Sequence, residues 1–397
     1  PYRKAIDSGA LTVMVSFKSW NGNKCHGHKY LVSDILKEEL QFDGFVISDW
    51  DGIDYLSEDY HNAVSLAVNA GIDMFMISEQ WREFANHLKR HVRRGSVPMK
   101  RINDAVLRIL SVKYAFGLFE KARPSERPWS NHASFGGQEH RAVAREAVRK
   151  SLVLLKNERA LLPLDKNIRI LVAGKNAHNR GNLCGGFSVT WQGRTGNDHL
   201  EGATSAWEGI RQVAPNAVLS THETGADADP ELHDAAIVLI GETPYAEGLG
   251  DIRSGHHVIV EAGSQIKGSM DVLEPYGNTL ELAKLHPEDL HTIKTITRVG
   301  IPVVAVLISG RPLFVNSELD TCNAFVAAWL PGSEGRGIAD VLFGDFDFQG
   351  RLGFSWPNNN GKVEIPYDKD SPPLFPCGYG MSYRESTYKH PSVSKSA

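Results

Sequence analysis

The sequence predicts an α/β protein built in two successive blocks, and three observations predict it. Short apolar runs rich in β-branched residues alternate with helically spaced stretches over residues 1–115, and the alternation resumes from residue 138. Strand–helix repeats of this length imply parallel strands joined by right-handed crossovers. Residues 117–137, rich in Pro, Ser and Gly and without periodicity, read as a linker between the blocks.

In the first block, Val13–Phe17 reads as a short strand. Tyr30–Leu40 has helical spacing, with Leu31, Ile35 and Leu40 on one side. Gly44–Asp49 reads as a second strand, His61–Ala70 as a helix carrying Val64 and Val68, and Ile72–Ile77 as a third strand. Helices follow near Trp81–Arg94 and Met99–Phe116. In the second block a helix is predicted from about Gln138 to Lys156. Strands follow at Ile168–Ala173, Val218–Thr221, Ala235–Gly241, Val303–Ile308 and Phe325–Leu330, with helices at Ser205–Val213, Pro287–Thr297 and Glu334–Phe343. This pattern describes a mostly parallel sheet between helices. The stretch 358–397 reads as a tail that wraps the surface and frays at its end.

At 397 residues the chain has room for two or three domains. A formal charge of −4 gives no reason to expect nucleic acid or an anionic membrane as partner. No apolar run approaches the roughly 20 residues of a membrane span. Pro1–Gly9 reads as the end of a helix, so the sequence is expected to start inside a domain. Cys25, Cys184, Cys322 and Cys377 are far apart and form no Cys-x-x-Cys, so buried free thiols are expected. Cys25-His26-Gly27-His28 lacks an adjacent carboxylate and the spacing of a metal site.

The most informative stretch is Gly44-Phe-Val-Ile-Ser-Asp49-Trp50. Asp49 falls at the carboxyl end of a predicted buried strand, where α/β folds place their chemistry. Trp50 beside it offers a flat face on which a sugar ring stacks. A carboxylate next to a stacking platform suggests carbohydrate chemistry; the alternative is an Asp that caps the next turn. After the strand Ala235–Gly241 comes a Gly/Pro loop with Glu242, Glu247 and Asp251, positioned to project an acid into a cleft or to be solvated. Cys184 to Gly193 forms another Gly-flanked loop, in which Phe187 and Trp191 either face a ligand or plug a domain interface. Ser333 or Glu334 is placed to cap the helix that follows. Gly174-Lys175-Asn176-Ala177 follows a strand but lacks both glycine-rich phosphate-binding patterns, and no Gly-x-Ser-x-Gly elbow occurs.

Taken together, these segments resemble glycoside hydrolase family 3. Gly44 to Trp50 resembles its nucleophile motif. Ala70-Gly71-Ile72-Asp73-Met74, Arg145 to Asn157, Leu161 to Leu164, Trp329 to Gly335 and Gly378-Tyr379-Gly380 follow in family order across nearly the whole chain. The loops Cys184 to Gly193 and Gly241 to Asp251 most resemble the β-glucan exohydrolase/β-glucosidase branch.

The resemblance implies an α/β fold with the C-terminal portion of a (β/α)8 TIM-like barrel plus a six-stranded α/β sandwich domain, the active site lying between them. The corresponding limits are 1–116 for the barrel part, 117–137 for the linker, 138–357 for the sandwich and 358–397 for the tail. It implies a retaining, exo-acting β-glucosidase or β-glucan exohydrolase, with Asp49 as nucleophile and Glu247 as general acid/base. Trp50 and Trp191 become an aromatic clamp on the +1 sugar, and Phe187 falls where the branch often has another aromatic. It implies no metal or organic cofactor, a β-linked glucoside or gluco-oligosaccharide as partner, and an extracellular or periplasmic setting. Only barrel strands six to eight correspond to this sequence, so a complementing polypeptide is expected to supply the rest. Phe17 stands where relatives carry a Tyr near the nucleophile, and Tyr55 where an Arg often follows the Asp-Trp pair. Other family activities, β-xylosidase or β-N-acetylglucosaminidase, and a non-catalytic sugar-binding relative remain alternatives.

Overall fold

The computed structural model describes residues 1–247, 259–260, 272–273, 279–358 and 372–388. The chain divides into two compact units, the first containing Pro1–Ser130 and the second beginning at Asn131.

The first unit opens with α1 (Tyr2–Asp7), followed by strand β1 (Thr12–Met14) and a small ribbon of β2 (Ser19–Trp20) and β3 (Asn23–Lys24). A helix over Tyr30–Glu39 is wound more widely than an α-helix, as its closing bond from the Leu40 N–H to the Ile35 carbonyl at 2.9 Å shows. Strand β4 (Phe45–Ile47) pairs in parallel with β1, and α2 (Tyr60–Ala70), α3 (Trp81–Arg94) and α4 (Met99–Ala115) follow. Val15, Val32, Phe42, Val46, Ile53, Val64, Val68 and Ile72 form the core.

The third strand expected at Ile72–Ile77 is reduced to one parallel bridge, Ile47 to Met74. The reason is a side chain. The Val46 N–H is taken by Asp73 Oδ2 at 2.8 Å, so a carboxylate replaces a rung of the ladder. Asp73 is itself held by Lys37 at 2.7 Å and by Arg101.

The second unit begins with α5 (Gln138–Ser151) and β5 (Val153–Asn157). The single helix expected from Gln138 to Lys156 is therefore corrected to a helix and a strand. Leu152 turns extended, and Val153 to Asn157 pairs antiparallel with β12 (Ala324–Trp329), burying an apolar run that a helix end would leave in water. Next come β6 (Ile170–Ala173), α6 (Arg180–Cys184), α7 (Ala206–Val213), β7 (Ala217–Leu219) and β8 (Ala235–Gly241). The two-residue strands β9 (Ile259–Val260) and β10 (Val272–Leu273) pair with each other, Val260 and Val272–Leu273 grouping with the first unit. Then follow α8 (Leu282–Leu285), α9 (Pro287–Arg298), β11 (Val303–Ile308), α10 (Asn316–Thr321), β12, α11 (Arg336–Leu342) and α12 (Tyr383–Tyr388).

The main sheet has six strands in the order β5-β12-β11-β8-β6-β7, parallel except for β5. Both faces are covered. Val304, Val306 and Ile308 enter one core, and Val303, Ala305 and Leu307 the other. That is why β8 and β11 are continuous apolar runs.

The described part of the tail, 372–388, is not a surface wrap. Its Phe375 and Met381 are buried, and the Met381 N–H bonds to the Leu154 carbonyl at 3.1 Å. The frayed end expected beyond 388 lies outside the described residues. All four cysteines are free, but among them only Cys322 is buried; Cys25 and Cys184 are half-buried and Cys377 is exposed.

Candidate functional site

The parallel strand β4 delivers Asp49 and Trp50 to its carboxyl end. Buried Ser48 anchors the strand end, donating its N–H to the Met74 carbonyl at 2.9 Å and accepting the Met76 N–H on its hydroxyl at 2.8 Å. The chain then reverses through Asp51, whose φ of 49° is left-handed. Ser78 holds that turn, its N–H at 2.8 Å and hydroxyl at 2.5 Å from the Asp51 carboxylate. Asp49 is half-buried, and Trp50 is 48% exposed. The Asp49 carboxylate does not cap the short helical turn Gly52–Leu56; its Oδ1 accepts the neighbouring Trp50 N–H at 2.7 Å.

His26 holds Asp49 from behind. Its Nε2 accepts the Asp49 N–H at 2.9 Å, which requires a neutral ring with its proton on Nδ1. Burial pushes the His26 pKa down, against the opposing pull of the Asp49 charge, and so favours that neutral form. Residue 52 must be glycine here, since a Cβ would collide with His26 Nε2. Phe17 and Tyr55 pack edge to face with centroids 5.0 Å apart, and Lys24 lies 5.5 Å from each ring. Phe17 and Tyr55 thus form one wall beside His26, whose ring centroid lies 6.2 Å from that of Phe17.

In the second unit the end of β8 leads into the loop of Glu242 and Glu247. Gly241 has φ 129°, and a Cβ there would strike the Ile308 carbonyl. Glu242 is not solvated. It accepts Arg311 Nε at 2.9 Å, Arg311 Nη2 at 2.7 Å and the Tyr245 hydroxyl at 2.9 Å, while the guanidinium lies over the Tyr245 ring at 4.6 Å. Burial pushes the Glu242 carboxyl up, against the pull of Arg311. Glu247, by contrast, is exposed. Asp251 lies outside the described residues.

The Phe187–Trp191 loop closes on itself through the Phe187 N–H and the Trp191 carbonyl at 2.9 Å, with Phe187 and Val189 at φ 58° and 68°. It lies against the Glu247 loop so closely that a Cβ on Gly186 would overlap the Tyr245 carbonyl oxygen. Gln192 ties the two loops together. Its Oε1 accepts the Ala246 N–H at 2.7 Å and its Nε2 donates to the Glu247 carbonyl at 3.2 Å. Phe187 is 68% exposed and Trp191 half-buried. A cavity of about 290 Å³ between these loops is lined by Gly185, Phe187, Glu242, Tyr245, Gly310 and Leu330.

The second unit therefore brings Phe187, Trp191 and Glu247 onto one pair of loops, and the first unit places Asp49 beside Trp50. Sequence reading missed Gln192 and Arg311, which carry no local signal, and considered His26 only as part of a metal motif. Ser333 and Glu334 do not cap α11. Its first turn makes no side-chain cap, and buried Glu334 instead pairs with Arg141 at 2.9 Å and accepts the Ser333 hydroxyl at 3.1 Å. Lys175 reaches Glu288 at 2.7 Å and Asp289 at 3.0 Å, leaving its turn no phosphate cradle.

The first unit carries a half-buried carboxylate beside an exposed indole, and the second an exposed carboxylate on a loop bonded to that of Phe187 and Trp191, each within an α/β fold. The glycosyl hydrolase family 3 N-terminal domain matches residues 1–112 and the family 3 C-terminal domain matches residues 152–383. The chain belongs to glycosyl hydrolase family 3. It is 31% identical to the lysosomal β-glucosidase of Dictyostelium discoideum over 98% of this chain and 47% of that protein. It is 30% identical to a β-xylosidase of Formosa agariphila, over 100% of this chain and 56% of that protein. The structure of the exo-1,3/1,4-β-glucanase ExoP from a Pseudoalteromonas species superposes with a TM-score of 0.82 at 41% identity, covering 96% of this chain and 46% of that one. The chain thus spans about half the length of the curated relatives it matches.

Proposed function

We propose that the intact protein is a retaining, exo-acting β-glucosidase or β-glucan exohydrolase, with Asp49 as nucleophile and Glu247 as general acid/base. In the first step the Asp49 carboxylate bonds the anomeric carbon as the glycosidic C–O bond breaks and Glu247 gives its proton to the departing oxygen. In the second step Glu247 takes a proton from water, the water oxygen attacks the anomeric carbon, and the Asp49 ester is released. Retaining chemistry needs the two carboxyl groups about 5–5.5 Å apart. Trp50 and Trp191 serve as stacking faces for the +1 sugar, with Phe187 as a further aromatic contact. In this reading residues 1–116 carry the nucleophile and residues 138–357 the acid/base.

The observation that carries the reading is Asp49 itself. Nearby Asp73 and Asp104 are locked in ion pairs, and Asp51 is bonded to Ser78. Asp49 is in no ion pair among the described residues, and its backbone is fixed by a neutral histidine. A nucleophile needs such a carboxylate, positioned but not neutralised. The likeness to an exo-1,3/1,4-β-glucanase supports glucan as the substrate class.

The same reading assigns an apolar groove of the first unit to polypeptide that completes the barrel. The groove measures about 330 Å³ and is lined by Ile72, Phe75, Ile77, Trp81, Phe84 and Ile109. Leu107 and Tyr114, also on α4, are 66% and 71% exposed, more apolar surface than one helix normally leaves in water.

The test is turnover of aryl β-glucosides and β-xylosides by the natural full-length protein. Asp49→Ala and Glu247→Ala should each lower turnover by orders of magnitude, and a 2-deoxy-2-fluoro glucoside should label the peptide containing Asp49. Near wild-type turnover in either variant overturns the assignment. The likeness to a β-xylosidase favours a second reading, which a preference for the xyloside would select.

A further inference from the structure

We infer that Gln192 is a positioning residue that sets the aim of Glu247; this rests on the acid/base reading of Glu247 above. The inference starts from the backbone on either side of the acid. The Ala246 N–H reaches Gln192 Oε1 at 2.7 Å, and the Glu247 carbonyl takes the Nε2 proton at 3.2 Å. A backbone N–H only donates and a carbonyl only accepts, so the amide has a single orientation that satisfies both. One planar group thus holds the peptide N–H that enters Ala246 and the carbonyl that leaves Glu247, bracketing the two residues at the acid.

This clamp comes from the loop that carries Trp191. Its anchor is firm, because Thr190 spans the turn with its hydroxyl on the Gly193 carbonyl at 2.8 Å, and Gly193 lies against Pro244 so closely that a Cβ would be 2.7 Å away. The other end of the acid's loop is held by Glu242, Tyr245 and Arg311. The Glu247 side chain follows these anchors in the loop and is exposed to solvent, so its direction depends on the backbone that carries it. Gln192 therefore converts a surface loop into a rigid mount, and it makes the stacking ring and the proton donor move as one body. Small errors of aim are costly in proton transfer, where a displacement of about 1 Å can lower the rate on the order of 100-fold.

The expected signature is specific to the acid step. In the natural full-length protein, Gln192→Ala should lower kcat/KM roughly 10- to 100-fold on glucosides with poor leaving groups, which depend on protonation. The same variant should lose less than about threefold on 2,4-dinitrophenyl β-glucoside, whose leaving group departs unaided. Gln192→Glu, nearly isosteric, keeps an acceptor for the Ala246 N–H but cannot donate when ionised, and should show the same leaving-group contrast with an unchanged melting temperature. An equal loss on both substrates, or no loss on either, overturns the inference. Glu247→Ala measured in parallel separates the two claims. If Glu247→Ala keeps full activity the acid/base reading fails; if Glu247→Ala shows a strong leaving-group contrast and neither Gln192 variant does, only the positioning role fails.

Discussion

Glu318 is the sharpest point at which this structure can be tested by stability. It lies on α10 with no exposed surface, and neither carboxyl oxygen meets a hydrogen-bond partner among the described residues. Burial pushes its pKa from 4.5 to about 7, opposed by its own backbone N–H and by Lys294 and reinforced by the charges of Asp289 and Glu281. The sign follows directly. Below 4.5 the group is neutral whether folded or not, so it takes nothing from stability. As pH rises through the window from 4.5 to about 7 the unfolded chain ionises first, and the folded state loses stability until the folded group also ionises. A difference of about 2.5 pH units corresponds to about 3 kcal/mol at pH 8. Glu318→Gln keeps the shape and removes the titration. Urea denaturation, followed through the transition that unfolds the six-stranded sheet, should show the variant more stable by up to about 3 kcal/mol at pH 8 and by much less at pH 4.5. A stability difference that does not change with pH would refute the reasoning.

Two further predictions concern the mount of Asp49. Asp73→Ala removes the acceptor of the Val46 N–H and leaves Lys37 and Arg101, whose side chains are 7% and 13% exposed, with Asp104 as their remaining carboxylate, so denaturation of the first unit should be easier by roughly 1–3 kcal/mol. Burial already holds the Lys37 pKa down to about 8 against the attraction of Asp73, and loss of that attraction should let Lys37 give up its proton at lower pH still, readable by NMR titration of its Nζ. Gly52→Ala places a methyl against His26, and turnover of an aryl glucoside should fall roughly 10- to 100-fold with the far-ultraviolet circular dichroism unchanged.

The residues show where legibility in the sequence ends. β8 and β11 were readable because a strand covered on both faces is apolar throughout, a property of its own residues. The start of α7 was readable for the same local reason, since Ser205 and Glu208 form a reciprocal cap three residues apart. Asp49, Trp50, Phe187, Trp191 and Glu247 could be singled out as residue types in informative loops. Their supports could not. β5 takes a helix-like continuation of α5 into the sheet because β12, about 170 positions away, offers it a hydrogen-bonding edge. The rung at Val46 is filled by a carboxylate 27 positions later in the chain, and the peptide bonds around Glu247 are held by an amide 54 and 55 positions earlier.

Local sequence thus determined the apolar runs and marked the candidate reactive groups, because those depend on each residue's own chemistry and on neighbours within a turn. Tertiary structure alone decided which carboxylates are neutralised and which remain available. Burial sets the charge state of Glu318, and Glu242 and Asp73 are held by Arg311 and Lys37, partners that chain distance hides and only folding brings within a few ångströms.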